Sequence, residues 1–131
     1  MTKTIKQKVY FKASPNEIYS LLMDSRKHSE FTGSTAKISN KENGKFEAYD
    51  GYIEGQNIKL VRGKKIIQKW RGSDWPEDHY STAEFSLKRK GEGCELSFVQ
   101  KNVPDKQYAP IKQGWIDFYW NPIKEYLKSK K

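Results

Sequence analysis

The sequence predicts an α+β fold: a curved antiparallel sheet of about six or seven strands around a long C-terminal helix, with two short helices after strand one. Three observations carry this. Apolar and polar residues alternate with a period of two in segments from Ile5 to Phe98. The connections between successive alternating segments are too short for parallel crossovers, so every pairing is expected to be antiparallel. From Asp105 onward the apolar spacing changes to steps of three and four, the period of a helix.

The first strand sets Ile5, Gln7, Val9 and Phe11 on one face and Lys6, Lys8, Tyr10 and Lys12 on the other. Ser14-Pro15-Asn16-Glu17 then starts a helix: Ser14 caps it, Pro15 suits its first position and Glu17 completes a capping box. Ile18, Leu21 and Leu22 form its buried stripe. After Asp24 a second helical turn carries His28 and Phe31 and stops at Gly33. Alternation resumes with Ala36 and Ile38, Phe46 and Ala48, and Ile58 and Leu60, punctuated by Gly44, Gly51, Gly55 and Gly63. Ile66 to Arg71 continues the meander and Trp75-Pro76-Glu77-Asp78 interrupts it. Ala83, Phe85 and Leu87 restore it, and Gly91-Glu92-Gly93 turns the chain into a last strand with Cys94, Leu96 and Phe98 inward. In the closing helix Tyr108, Ile111, Trp115, Tyr119, Ile123 and Tyr126 share a face. Pro122 offers no N–H to the Phe118 carbonyl, which predicts a kink or break there. Lys124, Lys128, Lys130 and Lys131 crowd its end, where cations oppose the helix dipole favourably.

A chain of 131 residues suits one domain spanning 1–131. Hydrophobic residues make up 35% and charged residues 31%, so four Trp, eight Tyr and six Phe must supply much of the core volume. No stretch has the apolar length of a membrane span, and the start from Met1 to Lys8 lacks the apolar centre of a signal peptide, which predicts a cytoplasmic protein without membrane insertion. The lone Cys94 cannot form an intramolecular disulfide and reads as a buried, inert thiol. A net charge of +9 favours acidic partners or anionic ligands.

The residues point to a binding module and away from catalysis. His28 and His79, with Cys94 isolated, have no metal-site spacing, and no cofactor is implied. Ser29, His28 and Asp24 cannot form a triad, because neighbouring helix positions point in different directions. Glu77 and Asp78 lie in a turn with no apolar pocket to raise one pKa. The inward aromatics Phe46, Trp70, Phe85, Phe98, Trp115 and Tyr119 would line the space between sheet and helix. That space reads either as a ligand pocket or as a filled core. Trp70, Trp115 and Tyr119 carry polar atoms that would orient a ligand. Ser73-Asp74-Trp75-Pro76 reads either as a turn that seats one large side chain, Trp75, against the end of the helix or as a recognition loop; the turn is favoured, with Asp74 accepting backbone hydrogen bonds. Lys59, Arg62, Lys64, Lys65, Lys69 and Arg71 fall on two neighbouring strands. Lys64, Lys65, Lys69 and Arg71 are expected to be exposed and to suit an acidic protein partner. Nucleic acid is not expected, since Trp70 points opposite to Lys69 and Arg71.

The element order resembles the helix-grip fold of the START and birch-pollen-allergen superfamily, also called SRPBCC. Asp50-Gly51-Tyr52-Ile53-Glu54-Gly55, Ile67-Gln68-Lys69-Trp70-Arg71, Ser73-Asp74-Trp75-Pro76, Val103-Pro104 and Gln113-Gly114-Trp115 occur in order. They resemble the motifs of the C-terminal domain of heat-shock protein 90 ATPase activators. The superfamily resemblance implies a hydrophobic or amphipathic small molecule held between sheet and helix. The narrower one implies the alternative, a co-chaperone-like protein that binds the heat-shock protein 90 chaperone and modulates its ATPase. Eukaryotic activators carry a separate N-terminal domain and this chain begins at the first strand, so contact is expected ahead of stimulation.

Overall fold

The computed structural model describes residues 2–129. Strand β1 (Thr2–Phe11) leads into helices α1 (Pro15–Met23) and α2 (Ser25–Thr32). Six more strands follow: β2 (Lys37–Ile38), β3 (Lys45–Ala48), β4 (Ile53–Val61), β5 (Lys65–Gly72), β6 (Ser81–Lys90) and β7 (Gly93–Pro104). All pair antiparallel in the order β1-β7-β6-β5-β4-β3-β2. The last strand therefore returns beside the first, and the sheet wraps the C-terminal helical segment.

Local chemistry explains the helix boundaries. Ser14 Oγ accepts the Glu17 backbone N–H at 3.1 Å, with Pro15 at the first helical position. Asp24 caps α2 through the Lys27 N–H at 2.9 Å, and Gly33 ends it at φ 74°, a left-handed conformation that suits glycine.

The core is one cluster fed by the inner faces of the strands, by Ile18, Leu21 and Leu22 of α1, and by the C-terminal helix. Ile58 departs from the expected inward alternation and is 44% exposed. The register between β4 and β5 shifts between Asn57 and Lys59, and the extra residue of this bulge, Ile58, turns outward. Asn57 takes the inner position opposite Gln68, and past the bulge Leu60 faces Ile66. Buried Asn57 is satisfied by donating to Ser39 O and Lys41 O and accepting from Gln68 Nε2 at 3.0 Å.

The closing segment is a 3₁₀ turn (Asp105–Gln107), helix α3 (Tyr108–Trp115), a π turn (Ile116–Trp120) and helix α4 (Asn121–Ser129). The break expected at Pro122 takes the form of that wider turn just before the proline. One added residue per turn brings both Tyr119 and Trp120 to the sheet side, while Phe118 stays 56% exposed. The Phe118 carbonyl that Pro122 cannot serve accepts the Tyr49 hydroxyl at 2.6 Å. Lys130 and Lys131, expected to extend the basic end of the helix, lie outside the described residues.

Candidate functional site

The helix meets the sheet in two different ways. Over β6 and β7 the interface is filled. The Trp115 ring lies 4.4 Å from Phe98, 5.5 Å from Trp70 and 5.7 Å from Phe85, centroid to centroid, and Trp120 lies 5.5 Å from Phe98. A buried indole N–H needs an acceptor. Trp115 Nε1 donates to Gln100 Oε1 at 2.8 Å, and Gln100 Nε2 donates to Ser81 Oγ at 2.9 Å. Ser81 Oγ in turn donates to Trp70 O at 2.8 Å. Trp120 Nε1 donates to Gln7 Oε1 at 2.7 Å, and Gln7 Nε2 donates to Lys112 O at 3.0 Å. The remaining void, about 20 Å³ beside His28, Phe46, Gln68 and Phe85, could hold one water.

Over β4 and β5 the interface opens into a cleft of about 520 Å³. Its floor is Trp70, Trp115, Tyr119 and Ile111, and its rim is Tyr49, Tyr52, Asp74, Gln107, Pro110 and Phe118. Two turns build that rim. The first, between β3 and β4, holds Tyr49 at φ 52°, Asp50 at 56° and Gly51 at 94°. Left-handed backbone is unfavourable for a tyrosine. Here it aims the ring across the opening, where it meets Phe118 at 5.7 Å and its hydroxyl reaches the Phe118 carbonyl. The second turn follows β5. Tyr52 Oη donates to Asp74 Oδ1 at 2.8 Å, and burial, reinforced by that carboxylate, raises the phenol pKa to about 12. Gly72 makes this approach feasible, because a Cβ there would lie 2.8 Å from Tyr52 Oη and 2.9 Å from Trp75 Nε1.

Arg71 holds the second turn from behind. Its guanidinium donates to Trp75 O at 2.6 Å and Pro76 O at 3.2 Å, and pairs with Glu54 at 3.2 Å. This corrects the expectation that Arg71 is exposed: the residue is 9% exposed and its side chain is engaged by the loop it braces. The expected role of Asp74 changes too, since it accepts the Tyr52 hydroxyl. Trp75 is buried, and its ring meets Trp70 at 5.4 Å and His79 at 5.9 Å, whereas the helix end was expected.

Of the six inward aromatics, Trp70, Trp115 and Tyr119 reach the cleft, Phe46 and Phe85 border the small void, and Phe98 packs behind Trp115. Tyr49, Tyr52 and Phe118 escaped the sequence reading. The signal available was the Tyr49-Asp50-Gly51 turn, although no periodicity says where its ring goes. Of the basic set, Lys64 is exposed in the β4–β5 turn, Lys65 pairs with Glu84 at 3.4 Å, and Lys69 sits over the Tyr80 ring at 4.9 Å. His28 is enclosed by Phe31 at 5.0 Å and Tyr119 at 5.2 Å, and burial pushes its pKa down to about 4. The Cys94 thiol is buried, which raises its pKa. Among the described residues no group of three or more His, Cys, Asp or Glu is arranged to hold a metal, and no helix is long and apolar enough to cross a membrane.

A curved antiparallel sheet that grips a C-terminal helix, closed at one end and cleft at the other, defines a helix-grip protein of the SRPBCC type. The family model described as "Activator of Hsp90 ATPase homolog 1-like protein" matches residues 12–128, and the chain belongs to that family. It is 32% identical over 124 residues to the human "Activator of 90 kDa heat shock protein ATPase homolog 1", covering 95% of this chain and 37% of that protein. A Dictyostelium discoideum activator homolog is 33% identical over 115 residues, 87% of this chain and 30% of its own length. The chain thus spans about a third of the length of the curated relatives it matches. The crystal structure of an HSP90 activator from Plasmodium falciparum superposes with a TM-score of 0.85 at 26% identity, covering 98% of this chain and 96% of that one.

Proposed function

We propose that this chain is a co-chaperone-like protein that docks on a heat-shock protein 90 chaperone and modulates its ATPase without catalysing a reaction of its own. The observation that carries this is the 32% identity to a human ATPase activator across 95% of the chain. The outer face of β4 and β5 is the docking surface. It sets exposed Ile58 and Val61 among Lys59, Lys64 and Lys69, an apolar centre with a basic rim suited to an acidic partner. Arg71 contributes by holding the loop after β5. The non-catalytic reading is supported by the state of the reactive groups: the Cys94 thiol is buried, His79 Nε2 is bound to Asn102 O at 2.8 Å, and His28 is ringed by aromatics.

The test is titration of the chaperone from the same organism at low and high salt, followed by ATPase measurement. Association is expected to weaken as salt rises. Lys59→Glu, Lys64→Glu and Lys69→Glu together should slow association about tenfold and leave the unfolding midpoint unchanged. Absence of binding at low salt would end this reading.

The cleft supports a second role, retention of a hydrophobic or amphipathic small molecule. At about 520 Å³ it has the size of an ordinary ligand site, and its floor is apolar.

A further inference from the structure

Net charge and local charge disagree at the cleft. Lys and Arg make up 25 of the 131 residues, yet none is among the twelve that line it. The one carboxylate among the lining residues is Asp74. One of its carboxylate oxygens accepts the Tyr52 hydroxyl, and among the described residues it forms no ion pair. Tyr52 touches it, and the rings of Tyr49, Phe118 and Trp115 line the same cleft. Aromatic faces are electronegative, and a cation held over them beside a carboxylate is attracted by both. Asp74 is exposed at the rim, so an anionic headgroup would meet its charge with no compensating base among the lining residues, and a purely apolar ligand would gain nothing from it.

We infer that the cleft selects organic cations: an ammonium head set against Asp74 with its aryl or alkyl body laid on Tyr49, Phe118 and Trp115. The inference rests on the reading of the cleft as a ligand site and names the chemistry of its occupant. The fixed Tyr52–Asp74 hydrogen bond orients the free carboxylate oxygen before a ligand arrives, so little ordering remains to be done on binding. The strained Tyr49 backbone, φ 52°, is a local cost that places one wall of the cage.

Three probes of one size and different charge test it: benzyltrimethylammonium, benzyl alcohol and phenylmethanesulfonate, each titrated by tryptophan fluorescence and by amide shifts of residues 49–52 and 74. The cation should bind about tenfold more tightly than either of the others. Asp74→Asn keeps an oxygen acceptor for Tyr52, so the turn should hold, and it should erase the cation's advantage while leaving benzyl alcohol binding as it was. An unfolding midpoint within a degree or two of the parent, measured in parallel, confirms that the variant is folded. Equal binding of the three probes, or a cation affinity untouched by Asp74→Asn, would overturn the charge selectivity and leave the cleft as a neutral ligand site. No binding of any probe would overturn both.

Discussion

The two halves of the helix–sheet interface are built from the same residue types and do opposite things. Over β6 and β7, every buried donor of Trp115 and Trp120 finds a side-chain acceptor and the rings interlock at 4.4–5.7 Å. Over β4 and β5, the same helix rises from two turns and leaves about 520 Å³ unfilled. Aromatic content therefore does not decide between core and pocket. What decides is whether a strand or a turn lies opposite: inward strand residues come at a fixed pitch and fill the space, whereas turn 49–52 holds its rings, and turn 73–76 its Asp74 carboxylate, at the rim.

A matched pair of substitutions gives the largest expected effect. Phe98→Ala removes a fully buried ring between Trp115, Trp120 and Phe85 and should cost about 3–5 kcal/mol of stability. Phe118→Ala makes the same chemical change at a rim position exposed to solvent and should cost no more than about 0.5 kcal/mol. Urea unfolding of both would show whether the halves differ as claimed. Similar losses would mean that the cleft is held as tightly as the core.

The next effect follows from His28, which stands at the boundary of the filled half. Burial holds its pKa at about 4 in the folded protein, below its ordinary 6.5. Between those values the unfolded chain binds a proton that the folded one refuses, so stability falls as pH drops. The contribution is fully present above pH 6.5 and is lost progressively toward pH 4, at most about 3 kcal/mol. The groups packed around it, Phe31, Tyr119 and Gln68, supply no charge that titrates in this window. Unfolding free energies at pH 7 and pH 4.5 should therefore differ less in His28→Phe than in the parent. An equal difference in both would show that carboxylates alone cause the acid sensitivity.

The same contrast explains what the sequence could reveal. Alternation located the seven strands and their inner faces because burial on one side of a sheet imposes a period of two. It misassigned Ile58, since a bulge inserts one residue without leaving a pattern break. The basic run on β5 looked solvent-facing because charge normally is. Arg71 is inside because three oxygens, from Trp75, Pro76 and Glu54, converge on it from a loop and a neighbouring strand. Trp115 and Tyr119 were legible from helical spacing. Trp120 was not, because the π turn shifts the phase by one residue ahead of Pro122. The rim depends on contacts across 22 residues, Tyr52 to Asp74, and across 69, Tyr49 to Phe118, which local patterns do not encode.

The smallest expected effect isolates the joint between turn and helix. Pro122 denies the Phe118 carbonyl the N–H four residues on, and Tyr49 supplies a donor at 2.6 Å. If that is why the tyrosine is held at φ 52°, its hydroxyl has value only while residue 122 is proline. Tyr49→Phe should cost about 1 kcal/mol in the parent, the ordinary worth of one hydrogen bond. Pro122→Ala restores an N–H four residues after Phe118, and in that background Tyr49→Phe should cost only a few tenths. The ring remains in both cases, so packing at the rim is held constant and the coupling reports the hydrogen bond alone. Strict additivity in the double-mutant cycle would mean that Tyr49 is fixed by its ring contacts with Phe118 and Tyr119. The cleft would then owe its wall to packing, as the filled half does.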